Sequence, residues 1–193
     1  VWISANLQVL LENGDMFESL KQYSVTEEEF IEKALKYKCE SAFAILRMTF
    51  AVTTQISTSR ELNRKSPNSI AEQSTRYCNL EKKGGVQIAR PHWYLYGTRL
   101  QCMVYSFVCR VCEWGYNRLL KLGLKPEDAR GVLPLDTYTV AVYTYTIAEW
   151  KEIIDLRYHG KTGKPHPNAH FVAERIRNII LRRMREYLQD FDI

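Results

Sequence analysis

From Leu133 to Thr146 the chain alternates almost without a break. Thr137, Thr139, Ala141, Tyr143 and Tyr145 interleave with Tyr138, Val140, Val142 and Thr144. A period of two in a run rich in Thr, Tyr and Val predicts a strand whose two faces differ. Such a strand needs partners. The stretch from Ser41 to Thr53 supplies one, with Ala42, Ala44, Leu46, Met48, Phe50 and Val52 on one face and Phe43, Ile45, Arg47 and Thr49 on the other. Ser69 to Tyr77 reads as extended, and Val86-Gln87-Ile88 as a brief further strand.

The segments between these strands read as helices. Thr26 and Glu29 form a capping box for a helix reaching about Lys38. Ser57 or Ser59 can cap a short helix that carries Arg60 and Arg64 and is stopped by Pro67. A long helix is expected from about His92 to Lys121, with an apolar stripe of Leu100, Met103, Val104, Phe107, Val108, Val111 and Leu119, ended by Gly123. Pro126 opens a short helix at its first turn. Ala148–Arg157 is expected to be helical, as is Ala169–Leu188, with Val172, Ile176, Ile179 and Ile180 inward. Strands and helices do not alternate as βαβ units, so the expected class is α+β: a mixed or antiparallel sheet packed with long helices, in one domain spanning residues 1–193. The chain starts at Val1, so any preceding segment lies outside this reading.

Of the 193 residues, 46% are hydrophobic and 25% charged, which is a globular composition. No apolar run approaches the ~18 residues of a membrane span. The net charge of +5 favours an anionic ligand but does not by itself imply nucleic acid. Five cysteines, an odd number, read as reduced thiols of a cytoplasmic protein. Cys109 and Cys112 form a single C-x-x-C without the second pair that a zinc site uses, so they read as core or interface thiols and no metal is expected. His159, His166 and His170 are separated by prolines and set up no helical metal pair between the first two. Five arginines from Arg175 to Arg185 make the last helix basic. That leaves nucleic-acid binding as an alternative to a plain solvated face.

The densest chemistry lies between Arg60 and Asn79. Arg64 and Arg76 are fork-shaped donors suited to phosphate, and the backbone around Gln73-Ser74-Thr75 can add N–H donors if it turns. The competing reading is a solvated edge strand with surface ion pairs. The run Ser69-x-x-Glu72-Gln73-Ser74-Thr75-Arg76-Tyr77, preceded by Arg60-Glu61-Leu62-Asn63-Arg64, resembles the R-H-R-x7-S signature of the flavin-dependent thymidylate synthases. Arg64 falls on the first arginine and Ser74 on the serine. Ala129-Arg130-Gly131-Val132-Leu133-Pro134 resembles that family's A-R-x-x-L-P segment, Trp150–Arg157 its W-x-x-F-x-x-x-R segment, and Cys39-Glu40-Ser41 its H-E-S box. Order and spacing hold over residues 39–157.

The resemblance implies conversion of dUMP to dTMP, with methylenetetrahydrofolate giving the carbon and NADPH-reduced FAD the hydride. It further implies a homotetramer whose active sites are assembled across subunits. By position, Arg64, Glu72, Gln73, Ser74, Thr75, Arg76 and Arg130 would hold dUMP. Arg157 would also bind it and act catalytically, stabilising negative charge on the ring as C5 becomes nucleophilic. Ser41, Arg64, Lys65, Ser66 and Glu72 would meet FAD. Without the matched spacing, Arg157 reads as a helix C-terminal arginine satisfying carbonyls.

The chain departs from the family pattern on the flavin side. R-H-R is Arg64-Lys65-Ser66, Ala44 and Ile45 replace a glutamate and a histidine, and Thr146 and Glu152 stand at two asparagine positions. These departures leave open a homologue that binds a pyrimidine nucleotide with lost or altered flavin chemistry.

Overall fold

The computed structural model describes residues 46–65, 67–186 and 192–193, together with Thr26, Glu28, Glu29, Glu32 and Lys33. Strand β1 (Arg47–Gln55) is followed by helix α1 (Ile56–Leu62), a short strand β2 (Ile70–Glu72), helix α2 (Arg99–Lys121), the single turn α3 (Pro126–Ala129), strand β3 (Tyr138–Thr146), helix α4 (Ile147–Arg157) and helix α5 (Pro167–Met184). The class is α+β, as expected, and the sheet is antiparallel.

β3 is the middle strand of the order β1-β3-β2. It pairs with β1 from Arg47↔Thr146 to Gln55↔Tyr138 and with β2 at Ile70↔Tyr143 and Glu72↔Ala141. The alternation read from the sequence sorts its faces. Thr139, Ala141, Tyr143 and Tyr145 are buried, and Tyr138, Val140 and Val142 are exposed. Helices α4 and α5 cover the buried face. Trp150 sits at the centre of that core, its ring edge-on to Phe50 at 5.0 Å and to Tyr145 at 5.2 Å, with Nε1 donating to the Met48 carbonyl at 3.1 Å. A polar indole atom that finds a carbonyl can be buried without cost to hydrogen bonding. A smaller cluster of Leu80, Val86, Tyr116 and Ala129 seats the end of α2 against α3.

Capping boxes start several elements. Thr98 and Gln101 close one on α2, and Thr146 and Glu149 one on α4. Thr26 and Glu29 make the reciprocal pair expected of them. Gly123, at φ 95°, ends α2 in the left-handed conformation that glycine adopts without strain.

The structure differs from the sequence expectations at several places. The helix expected from His92 is a 3-10 turn over His92–Leu95, separated from α2 by the Thr98 cap. α1 starts at Ile56 with Gln55 as its N-cap, so Ser57 and Ser59 lie inside it. Only Ile70–Glu72 of the Ser69–Tyr77 run is strand, because a turn at Thr75–Tyr77 takes the backbone out of the ladder. Val86–Ile88 contributes one isolated bridge, Ile88↔Thr137. Ile179 is exposed, unlike Val172, Ile176 and Ile180. Residues 41–45 of the first expected strand and the end of the helix beyond Glu186 fall outside the described residues.

The largest difference is in α2. Its apolar stripe faces away from the chain, with Leu100 at 69% exposure, Phe107 at 62% and Trp114 at 67%. The inner face is carried by Tyr105, Cys109 and Tyr116 instead. Leu100, Val104, Phe107, Val111 and Trp114 follow one another at four-three-four-three spacing, the seam of a helix that packs along another helix.

Candidate functional site

At the end of β2 the Gln73 N–H donates to the Val140 carbonyl at 2.8 Å, and the chain then turns. The Ser74 Oγ accepts from the Arg76 N–H at 3.2 Å, and the Ser74 carbonyl accepts from the Cys78 N–H at 3.2 Å. The Arg76 Nε donates to Oε2 of Glu127 at 2.8 Å, with its guanidinium 5.2 Å from the centre of the Tyr77 ring. Arg130 reaches the same turn, its Nη1 donating to Thr75 Oγ1 at 3.2 Å and its Nε to the Glu127 carbonyl at 3.1 Å. Gln73, Ser74, Thr75 and Arg76 therefore meet Arg130, 55 positions beyond Thr75, at one surface turn. Two exposed guanidiniums lie there and the Glu127 carboxylate pairs with that of Arg76, leaving an excess of positive charge suited to a phosphate. The hydrogen bond from Arg76 holds the Glu127 carboxyl below its usual range, helped by the charges of Arg76, Lys125 and Arg130. Sequence reasoning missed Glu127, whose placement in the first turn of α3 gave it a helix-starting explanation.

Glu72 is exposed at the end of β2, and its carboxylate reaches back to α1 and β3. Its Oε1 accepts from Ser59 Oγ at 2.7 Å and Thr139 Oγ1 at 3.0 Å, and its Oε2 from Asn63 Nδ2 at 3.0 Å. Asn63 Oδ1 in turn accepts from the Tyr143 hydroxyl at 3.0 Å. Burial, with the nearby Glu72 charge, pushes the Tyr143 pKa far up, so the phenol keeps the proton it donates. One carboxylate thus laces α1, β2 and β3 together behind the turn. The hydroxyls of Ser59 and Thr139 that do this carry no signal in the sequence.

Arg157 lies at the end of α4. Its Nε and Nη2 donate to the Glu61 carbonyl at 3.2 and 2.9 Å, and its Nη1 is 3.7 Å from Glu61 Oε2. Within one chain, the hydrogen bonds of Arg157 go to Glu61 rather than to the Ser74 turn.

Arg64 is exposed beyond the end of α1. Lys65 Nζ lies 2.6 Å from Glu152 Oε2 on α4. That hydrogen bond raises the lysine's pKa. Ser41 and Ser66 lie outside the described residues.

A cleft of 470 Å³ runs between β1, the Ala89–Leu95 segment and α5, with Phe50, Val52, Phe171 and Ile176 on its walls and Arg90 and Arg175 at its edges. None of the residues assigned to the nucleotide or the flavin lines it. Of His159, His166 and His170, His166 caps α5 through Nδ1, and the other two pack against Tyr158. On the basic face of α5, Arg177 pairs with Asp192 and Arg183 with Glu186. No helix among the described residues is long and apolar enough to cross a membrane.

The profile of the Thymidylate synthase complementing protein family matches residues 4–184, and the chain belongs to that family. Among solved structures, the chain is similar to PolB, a UMP/dUMP methylase from Streptomyces cacaoi. One structure of it, bound with 5-Br dUMP, is 25% identical with a TM-score of 0.63, over 85% of this chain and 80% of that one. A second, bound with 5-Br UMP, aligns at 23% identity and a TM-score of 0.61, over 83% of this chain and 80% of that one, and shows the shared fold. No curated protein matches the sequence.

Proposed function

We propose that this chain is a pyrimidine-nucleotide methyltransferase that converts dUMP to dTMP. One observation carries the reading. Gln73, Ser74, Thr75, Arg76 and Arg130 converge on a turn with two guanidiniums and exposed hydroxyl and amide groups, a holder for a nucleotide phosphate. Family membership and the likeness to a UMP/dUMP methylase support it.

Uracil C5 attacks an electrophilic carbon only when charge on the ring is stabilised, and a fixed cation does this. Arg157 is that cation. Its side chain is 14% exposed and oriented by three contacts to Glu61. Because its contacts go to Glu61 and none of its hydrogen bonds reaches the Ser74 turn of its own chain, the site is completed by bringing the turn of one copy to the Arg157 of another. The exposed α2 seam and the uncovered Tyr138, Val140 and Val142 face support such association, in a homotetramer. Residues 1–193 act as one domain. Cys102, Cys109 and Cys112 form no disulfide, in keeping with a reducing, cytoplasmic setting.

FAD, reduced by NADPH, would supply the hydride when bound, and methylenetetrahydrofolate the carbon. The described residues fit FAD in part. Arg64 and Lys65 offer consecutive cations to its diphosphate, whereas the Glu72 carboxylate already accepts three hydrogen bonds and offers a cofactor little. That occupied Glu72 carboxylate, with Lys65 held by Glu152, favours as second reading a nucleotide-binding homologue with altered flavin chemistry.

The test is the absorbance spectrum of the purified protein before and after addition of FAD, together with thermal melts in FAD and dUMP. A flavin spectrum and a rise in melting temperature with both ligands are expected. A colourless protein stabilised by dUMP alone would select the second reading. Stabilisation by neither would overturn both.

A further inference from the structure

The ion pair between Lys65 and Glu152 is lopsided. The Lys65 side chain is 15% exposed and Glu152 is 60% exposed. The lysine's stem is packed while its ammonium meets the surface, so the cation is fixed in place. The carboxylate is on the rim and free to swing. Glu149, the other acid whose charge acts on Lys65, is occupied by the α4 capping box, accepting from the Thr146 N–H at 2.8 Å and Oγ1 at 2.9 Å. Glu152 is therefore the only one of the two that can leave. Next to Lys65, Arg64 is exposed and makes no ion pair among the described residues. An anion arriving at Arg64 meets Lys65 one residue on, and a pair whose carboxylate is 60% exposed can exchange that partner.

We propose that Glu152 is a displaceable stand-in anion for Lys65, and that the diphosphate of a dinucleotide takes its place there, so that Glu152 sets how tightly this chain holds its cofactor. The proposal rests on the flavin reading above and concerns residues outside the Ser74 turn. It also joins two departures from the family pattern: the lysine in the R-H-R segment and the glutamate at an asparagine position are each other's partners, 87 positions apart.

Binding of FAD and of ADP, measured by calorimetry on the full chain for wild type, Glu152→Gln, Lys65→Gln and the double variant, tests this. Glu152→Gln is expected to bind both ligands about two- to fivefold more tightly, the span that exchange of an exposed pair allows. Lys65→Gln is expected to bind more weakly, and Glu152→Gln to add nothing in the Lys65→Gln background. Unchanged or weaker binding by Glu152→Gln overturns the proposal. So does an equal gain in both backgrounds, since Glu152 would then act through general charge. If no variant binds FAD or ADP while dUMP still raises the melting temperature, the exchange is overturned and the nucleotide reading stands. Failure with dUMP as well overturns the functional reading itself. Both side chains end at the surface, and melting temperatures within a few degrees of wild type, about the shift a small surface change gives, check that the variants fold.

Discussion

The Arg157 guanidinium donates twice to one backbone oxygen, the carbonyl of Glu61, from Nε at 3.2 Å and from Nη2 at 2.9 Å. Two of its three contacts to Glu61 go to this backbone acceptor, which side-chain substitution cannot remove, so the orientation of Arg157 rests chiefly on the donor. Arg157→Lys keeps the charge and loses the fork. Turnover of dUMP is expected to fall about 10²–10³-fold, the scale of losing one positioned donor, with the melting temperature lowered by a few degrees at most. Steady-state kinetics and a thermal melt read the two separately. Turnover near wild type would take Arg157 out of the chemistry.

Glu72 is surrounded by donors on both oxygens. Glu72→Gln sets an amide NH2 against one of them and leaves a hydrogen bond unmade. The expected cost is about 0.5–1.5 kcal/mol of stability, accompanied by weaker dUMP binding because the turn after β2 loses its anchor. Urea denaturation and dUMP titration measure the two effects. A fully stable variant would show that the lacing contributes nothing.

The Arg76–Glu127 pair has a definite pH signature. Arg76 holds the Glu127 carboxyl below its ordinary value of 4.5. A carboxyl whose folded pKa is depressed stabilises the fold above its unfolded pKa and loses that contribution as the pH falls through the folded one. The pair should thus survive mild acid and release only below pH 4.5. Carboxyl-carbon NMR should place the Glu127 midpoint below that value, and Arg76→Ala should return it towards 4.5. An identical midpoint in both proteins would exclude the pair as the cause.

Phe107 stands mid-way along the exposed seam of α2, at 62% exposure. Phe107→Glu puts a charge there without touching the core. The variant is expected to sediment as a smaller species than wild type while keeping its far-ultraviolet circular dichroism. Equal sedimentation would remove α2 from the contact between copies.

The expected elements that held are those whose pattern is decided locally. β3 announced both its faces, α4 falls where a helix over Ala148–Arg157 was expected, and the ends of α2 and α3 follow from Gly123 and Pro126. α2 shows the limit: it has two faces able to pack, and periodicity marks the more apolar one without saying whether this chain or another covers it. The convergence of Ser74, Thr75, Arg76 and Arg130 was anticipated through the family motif, since residues so far apart carry no local sign of contact. Glu127, Ser59 and Thr139 went unnoticed because each is an ordinary residue until the tertiary fold sets it beside Arg76 or Glu72. Lys65 and Glu152 stood out separately as departures, and only the approach of α4 to the end of α1 makes them a pair.

The alternation of β3 also ties the site to the core through reading frame. Thr139 and Tyr143, which serve the Glu72 network, share a face with Ala141 and Tyr145, which pack against α4 and α5. Loss of one residue between Leu133 and Thr137 would shift the pairing by one and turn that whole set outward, with Val140 and Val142 taking its place. Insertions and deletions in that short segment should therefore be far less tolerated than substitutions, and no such change could abolish the ligand site while sparing the fold.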